Sequence, residues 1–191
     1  KRLKAGMRLT IDDGPEVEIL AEEDGANRTI RFAQPVESFL PAIGNTPLPP
    51  YIHEKLLNPE RYQTIYSEVA GSAAAPTAGL HFTEQLIRSL EAQGVQFTEV
   101  LLHVGLDTFA PVNEENVEDH HIHCEWCQVS EETANCIRAT KQAGGRVIAV
   151  GTTSVRTLES AARDVPPHEV IRAYEGMTDL FILPGHPFHV V

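Results

Sequence analysis

The chain has 191 residues, long enough for one or two domains with a true core, and its 42% hydrophobic and 22% charged content is that of a soluble globular protein. A formal net charge of −12 opposes general attraction to nucleic acid, although basic residues gather at Lys1, Arg2, Lys4 and Arg8, and again at Arg138, Lys141 and Arg146. No apolar run reaches the length of a membrane span, the start KRLKAGMRLTIDDG has no secretory apolar region, and three cysteines make no disulfide framework, so a reducing, cytoplasmic setting is expected.

The first forty-odd residues read as β-rich. Val17, Ile19 and Leu20 form one apolar run and residues 29–32 another, with Asp24-Gly25-Ala26-Asn27 as the turn between them. Residues 36–43 suggest a short helical turn. The segment PLPPYI (47–52) cannot be helix interior, because proline lacks an N–H and restricts the residue before it. The domain boundary is placed there, giving 1–45 and 46–191.

Beyond it, residues 58–69 read as a helix. Thr83 followed by Glu84, Leu86, Ile87 and Leu90 predicts a capped helix that Gly94 ends, and residues 95–104 read as a strand. Ser130 caps a predicted helix to Ala143, where Gly144-Gly145 stops it. Residues 146–150 (RVIAV) read as a short buried strand running into Gly151 and a helix to about Asp164, and residues 179–183 as the last strand. This strand–helix alternation predicts an α/β layer or barrel with mainly parallel strands.

In such folds ligands gather at the carboxyl ends of strands. Three of the predicted strand exits carry polar, glycine-containing sequences: LHVGLDTFAPV (102–112), GTTSVR (151–156) and PGHPFH (184–189), which together point to one shared site. APTAGLHFT (75–83) is a fourth such loop, turned by Pro76 and Gly79 and feeding a helix start whose N–H groups suit an anion or a sugar hydroxyl. Its bland reading is an ordinary capped loop. In GTTSVR, Gly151 allows close approach of backbone to ligand, Thr152 and Thr153 supply hydroxyls, and Arg156 offers a charged fork. The bland reading there is a capped helix with Arg156 in a surface ion pair to Glu159.

His120, His121, His123, Cys124 and Cys127 fall within eight positions and include the usual zinc ligands. No second ligand pair follows at conventional spacing, and Cys136 is alone. In an extended segment His121 and His123 share a face with Glu125 and Cys127, which also suits acid–base work, since a carboxylate orients an imidazole and raises its pKa. Acid–base or polar binding is preferred to zinc here, with an inert surface turn as the third reading. His81 and His103 sit beside apolar residues in polar loops; His53, His168, His186 and His189 carry less signal.

The motifs PLPPYI (47–52), YQTIY (62–66), APTAGLHFT (75–83), LHVG..TF.PV (102–112), H..H.E (120–125), AVGTTSVRTLE (149–159) and G.TDLFILPG (176–185) occur in family order along the whole chain. In these it resembles the S-adenosylmethionine:tRNA ribosyltransferase-isomerases of queuosine biosynthesis. The resemblance implies an α/β barrel-like domain at 46–191, incomplete, with 1–45 as part of an inserted small antiparallel β-barrel domain. It implies transfer and isomerisation of the ribosyl moiety of S-adenosylmethionine to 7-aminomethyl-7-deazaguanine at the wobble position of tRNA, giving epoxyqueuosine-tRNA, adenine and methionine. S-adenosylmethionine is then a co-substrate, tRNA the partner through its anticodon loop, and no metal, further cofactor or membrane is expected; a monomer is expected.

On that basis His81, His103, His120, His123 and Glu125 form the pool of acid–base candidates, because protons on the carbon beside a sulfonium are acidified and departing adenine needs a proton. Thr77, Gly79, Thr83, Gly105, Thr108, Gly151, Thr152, Thr153 and Arg156 form the expected substrate cradle. Asp107 stands where the family often has Gly, adding negative charge to a substrate loop, and Ile122 where it usually has Met. The start at Lys1 and the end before an NFHLP-containing region suggest a shortened chain with weak binding or no turnover by itself. Two rivals stand beside the transferase: a zinc-binding or metal-dependent hydrolase built on residues 120–127, and an inactive binding fragment.

Overall fold

The computed structural model describes residues 3–23, 27–49, 52–54, 56–105, 122, 124–166 and 168–191. They fall into two compact units, Lys1–Ile52 and His53–Val191.

The first unit is a three-stranded antiparallel meander of β1 (Arg8–Thr10), β2 (Glu16–Glu22) and β3 (Arg28–Phe32), in the order β1-β2-β3. Side chains alternate across a strand, so Val17 and Ile19 of β2 turn inward and are buried while Glu16 and Leu20 face out. A register shift between Ile19 and Ala21 interrupts the β2–β3 ladder. Arg31 pairs with Glu18 across the strands at 3.4 Å. The turn expected at 24–27 lies outside the described residues except for Asn27. A 3-10 turn at Val36–Ser38 and the single turn α1 (Leu40–Ile43) fill the region expected to be helical.

In the second unit the caps occur where the sequence places them. The Thr83 hydroxyl accepts the Leu86 N–H at 3.2 Å and opens α2 (Glu84–Glu91); Gly94, at φ +89°, then turns the chain, donating to the Glu91 carbonyl at 2.9 Å. Ser130 accepts the Thr133 N–H at 3.0 Å and opens α3 (Glu131–Gln142), whose buried residues Thr133, Ala134 and Ile137 follow helical spacing. Gly151 (φ +96°) precedes α4 (Thr152–Ala162).

The strands depart from expectation. Strand β4 covers only Leu101–His103, and it pairs antiparallel with β5 (Glu125–Val129), which pairs antiparallel with β6 (Tyr174–Thr178). The two sheets are therefore small and antiparallel; neither closes into a barrel, and the expected α/β barrel with mainly parallel strands and partial β-barrel domain is corrected accordingly. The physical reason lies in which backbone finds a partner. Residues 146–150 are apolar enough for a buried strand, but they join no ladder among the described residues: Val147 and Ala149 lean on the core while Ile148 is 75% exposed. With that segment out of the sheet, β5 and β6 become direct neighbours across α3 and α4.

Other predicted spans shift for local reasons. The first part of the 95–104 strand is held by α3: the Thr133 hydroxyl donates to the Glu99 carbonyl at 2.9 Å and lies 2.7 Å from the Thr98 hydroxyl. The helix expected at 58–69 shrinks to a 3-10 turn, Pro59–Tyr62, opened by the Asn58 side chain accepting the Glu60 N–H at 3.1 Å. Its continuation, with Ile65 and Val69 exposed, has no core face to pack. The strand expected at 179–183 is instead β6, just upstream.

Helix α4 lies against all three strands of the second sheet. The core gathers Val129, Ala134, Ile137, Leu158, Ala161, Ala162, Ile171 and Val190, with Val100, Val147, Ala149, Val170 and Tyr174 at its edge. No helix among the described residues is long and apolar enough to cross a membrane.

Candidate functional site

Alternation along β5 sends Glu125, Cys127 and Val129 to the helix-facing side and Trp126 and Gln128 to the other. Glu125 thereby meets Arg156 of α4 as an ion pair, with side chains 9% and 12% exposed. The second carboxylate oxygen accepts the Gly105 N–H at 3.0 Å, and the same guanidinium donates to the Thr178 carbonyl at 3.1 Å. One turn on, the Ser160 hydroxyl donates to the Arg156 carbonyl and lies 2.6 Å from the Thr178 hydroxyl, which accepts the Leu180 N–H at 3.2 Å. The Glu125–Arg156 pair thus ties together the exit of β4, the first turns of α4 and the exit of β6. In a sheet–helix interface of low polarity such a pair is held by its own hydrogen bonds.

Arg156 is therefore not the surface partner of Glu159. Glu159, 2% exposed, accepts backbone N–H groups from His189 (2.9 Å), Val190 (2.9 Å) and Val191 (3.3 Å). It anchors the segment after PGHPFH to α4.

A second meeting joins two of the sequence motifs. Thr77–His81 form a 3-10 turn, and a Cβ built on Gly151 would lie 3.5 Å from Ala78 Cβ, in ordinary contact. Among the described residues no side chain caps α4: the Ser154 hydroxyl donates to the Val150 carbonyl at 2.9 Å and that of Thr157 to the Thr153 carbonyl at 2.9 Å. Among the described residues the first-turn N–H groups of this eleven-residue helix therefore stand uncapped by side chains, at the end of the helix that the turn holding the exposed Thr77 and His81 approaches through Ala78. Gly79 is buried, and a Cβ there would overlap the Tyr66 hydroxyl and come within 2.9 Å of Thr64 Cγ2, so a larger residue would require Tyr66 to shift. Burial pushes the Tyr66 phenol up from its ordinary pKa. Thr83, by contrast, spends its hydroxyl as the α2 cap.

His103, on the outer face of the sheet, stacks on its cross-strand neighbour Trp126, ring centroids 5.1 Å apart at 28°. On its other side Gly71, at φ +139°, comes so close that a Cβ would lie 2.6 Å from the imidazole. The ring is clamped, and its Nδ1 is buried without a hydrogen-bond partner among the described residues. The backbone beside it is held by the Ser72 hydroxyl, which accepts the Val104 N–H at 3.1 Å, and by the Ala73 N–H donating to the Val104 carbonyl at 2.9 Å. His186 packs edge-on to Phe188, centroids 5.2 Å apart.

The fold therefore brings Glu125, Arg156 and Gly105 together, and brings Gly151, which opens the helix carrying Thr152 and Thr153, up to Ala78 of the turn that holds Thr77 and Gly79. His103 stands on the opposite sheet face from Glu125. His120, His121, His123, Asp107 and Thr108 lie outside the described residues. Among the described residues no group of three His, Cys, Asp or Glu is placed to hold a metal. Cys127 is fully enclosed, and burial pushes its thiol pKa up, with Arg156 opposing and Glu125 reinforcing the shift; Cys124 is exposed. Sequence reasoning passed over Gly71, Trp126, Thr178 and Glu159 as site residues. Thr178 and Glu159 lie within the motifs at 176–185 and 149–159, whereas Gly71 sits in an unremarkable small-residue run.

The family model described as queuosine biosynthesis protein matches residues 1–191. Among solved structures, the chain is similar to the crystal structure of an S-adenosylmethionine tRNA ribosyltransferase from Thermotoga maritima, with 33% identity and a TM-score of 0.45. The match covers 100% of this chain and 49% of that one, so the chain spans about half the length of this relative. The match over the full length shows that the chain belongs to the queuosine biosynthesis protein family.

Proposed function

We propose that the chain carries part of the active site of an S-adenosylmethionine-dependent tRNA ribosyltransferase-isomerase. The reaction transfers and isomerises the ribosyl moiety of S-adenosylmethionine onto 7-aminomethyl-7-deazaguanine at the tRNA wobble position, releasing adenine and methionine. The observation that carries this reading is the close approach of Ala78, in the Thr77–His81 turn, to Gly151 at the start of α4, which brings two family motifs to one hydroxyl-rich corner. Thr77, Thr152 and Thr153 and the α4 N–H groups suit the carboxylate and sugar oxygens of the co-substrate, while Gly79 and Gly151 keep the backbone close. Gly105, just past β4, is assigned to the same cradle, as is Thr108 on its family motif alone, with Thr83 and Arg156 supporting it.

His81, His103, His120, His123 and Glu125 remain the acid–base pool. One group withdraws the acidified proton from the carbon next to the sulfonium, and one delivers a proton to adenine as it leaves. The engagement of both Glu125 oxygens suits a carboxylate that holds the Gly105 backbone and Arg156 in place. A cytoplasmic, monomeric protein acting on the anticodon loop fits this reading, with no cofactor beyond S-adenosylmethionine.

The test is adenine release from S-adenosylmethionine with tRNA carrying the precursor base. Release that depends on that base supports the assignment, and His103→Ala is expected to slow it by about a hundredfold or more. Stoichiometric zinc without adenine release would favour the hydrolase reading instead.

A further inference from the structure

The C-terminal part of α3 and residues 168–170 border an open groove of about 430 Å³, lined by Arg138, Lys141, Gln142, His168, Glu169 and Val170. Its two walls are joined by Arg138, which donates to the Ile171 carbonyl at 2.8 Å and also pairs with Glu131 at 2.8 Å. Glu169 is already bridged by Arg172 at 2.6 Å, and this hydrogen bond, with weaker fields from Arg138 and His168, holds its carboxyl below the ordinary range. Both carboxylates are thus engaged by arginines, Glu131 by Arg138 and Glu169 by Arg172, while the Lys141 ammonium has no ion-pair partner among the described residues. On a chain of formal charge −12 this is a local positive groove, assembled from residues some thirty positions apart.

We propose that this groove takes the phosphate backbone of an RNA, with Lys141 and His168 as the contacting side chains. The proposal rests on the tRNA reading above and extends it to a surface that no motif marks. The lining has no aromatic ring on which a base could stack, which disfavours base recognition. Ammonium, imidazole and amide donors around an open trough suit phosphodiester oxygens. A single unpaired lysine holds a free phosphate weakly, whereas a polyanion gains by releasing counterions along its length. The groove thus positions RNA without reading its sequence.

Lys141 also lies near the C-terminal end of α3, where a cation favours the helix dipole, so the test must separate the two roles. Binding of fluorescently labelled tRNA is measured against salt for the wild type, Lys141→Ala, Lys141→Glu and His168→Ala, with thermal melting alongside. Lys141→Ala is expected to lower the slope of log affinity against log salt by about 1. Lys141→Glu should weaken binding further, and both should leave S-adenosylmethionine binding unchanged. Variants that keep the wild-type slope and affinity, whether or not they melt earlier, overturn the groove. Lys141-dependent binding of any RNA, without adenine release even from a version extended to the relative's full length, would keep the groove and sink the proposed reaction. An extended version that binds no RNA overturns both.

Discussion

Glu125 follows His121 and His123 at two-residue spacing, and from sequence alone it reads as the carboxylate that orients a histidine. In the fold it turns toward α4, where Arg156 and the Gly105 N–H take its two oxygens. His103, grouped with Glu125 among the acid–base candidates, instead stands on the outer sheet face, stacked on Trp126 and close to Gly71. Alternation along a strand decides both outcomes, because a residue's face depends on where the strand starts and which side the helix covers. Arg156→Ala would leave a carboxylate of 9% exposure without its cation, and is expected to cost about 3–5 kcal/mol of stability by urea unfolding. Replacing both partners, Glu125→Gln with Arg156→Met, should recover part of that loss, since no charge is then stranded. A single variant costing less than about 1 kcal/mol would show that the pair does not hold the interface.

Among the elements, α4 was the most legible and also the most incompletely read. Its start at Gly151 and its end near residue 162 agree with the sequence, since glycine punctuation and helical periodicity are local signals. Its side chains serve partners the sequence does not identify: Arg156 and Ser160 face the sheet, and Glu159 faces residues 189–191. Glu159→Ala would leave three backbone N–H groups without their acceptor, two of them at 2.9 Å, and is expected to cost about 3 kcal/mol. Hydrogen exchange should show the Val190 and Val191 amides losing protection first, with the β5–β6 ladder less affected. Uniform loss across the sheet would mean that Glu159 supports the whole unit rather than this segment. The strand expected at 95–104 shortens to Leu101–His103 and the one expected at 146–150 joins no ladder among the described residues, because an apolar run reports burial, while a strand also needs a neighbouring backbone to pair with.

The molecule as a whole comprises two compact units with unequal cores: among the described residues of Lys1–Ile52 only Pro15, Val17 and Ile19 are buried apolar residues, whereas a cluster of eight lies in His53–Val191. Unfolding is expected to depart from a single transition. The lone tryptophan, Trp126, reports the larger unit, so its fluorescence should change at higher urea than the early part of the far-ultraviolet circular dichroism signal. Coincident curves would contradict independent units. Family membership and the caps at Thr83, Ser130 and Gly94 were determined by the sequence alone, because motifs and caps act through residues within a few positions of one another. Strand direction, the Glu125–Arg156 tie and the positive groove were decided only by tertiary structure. Each depends on which distant backbone or charge arrives to satisfy a buried polar group, and no local pattern encodes that arrival.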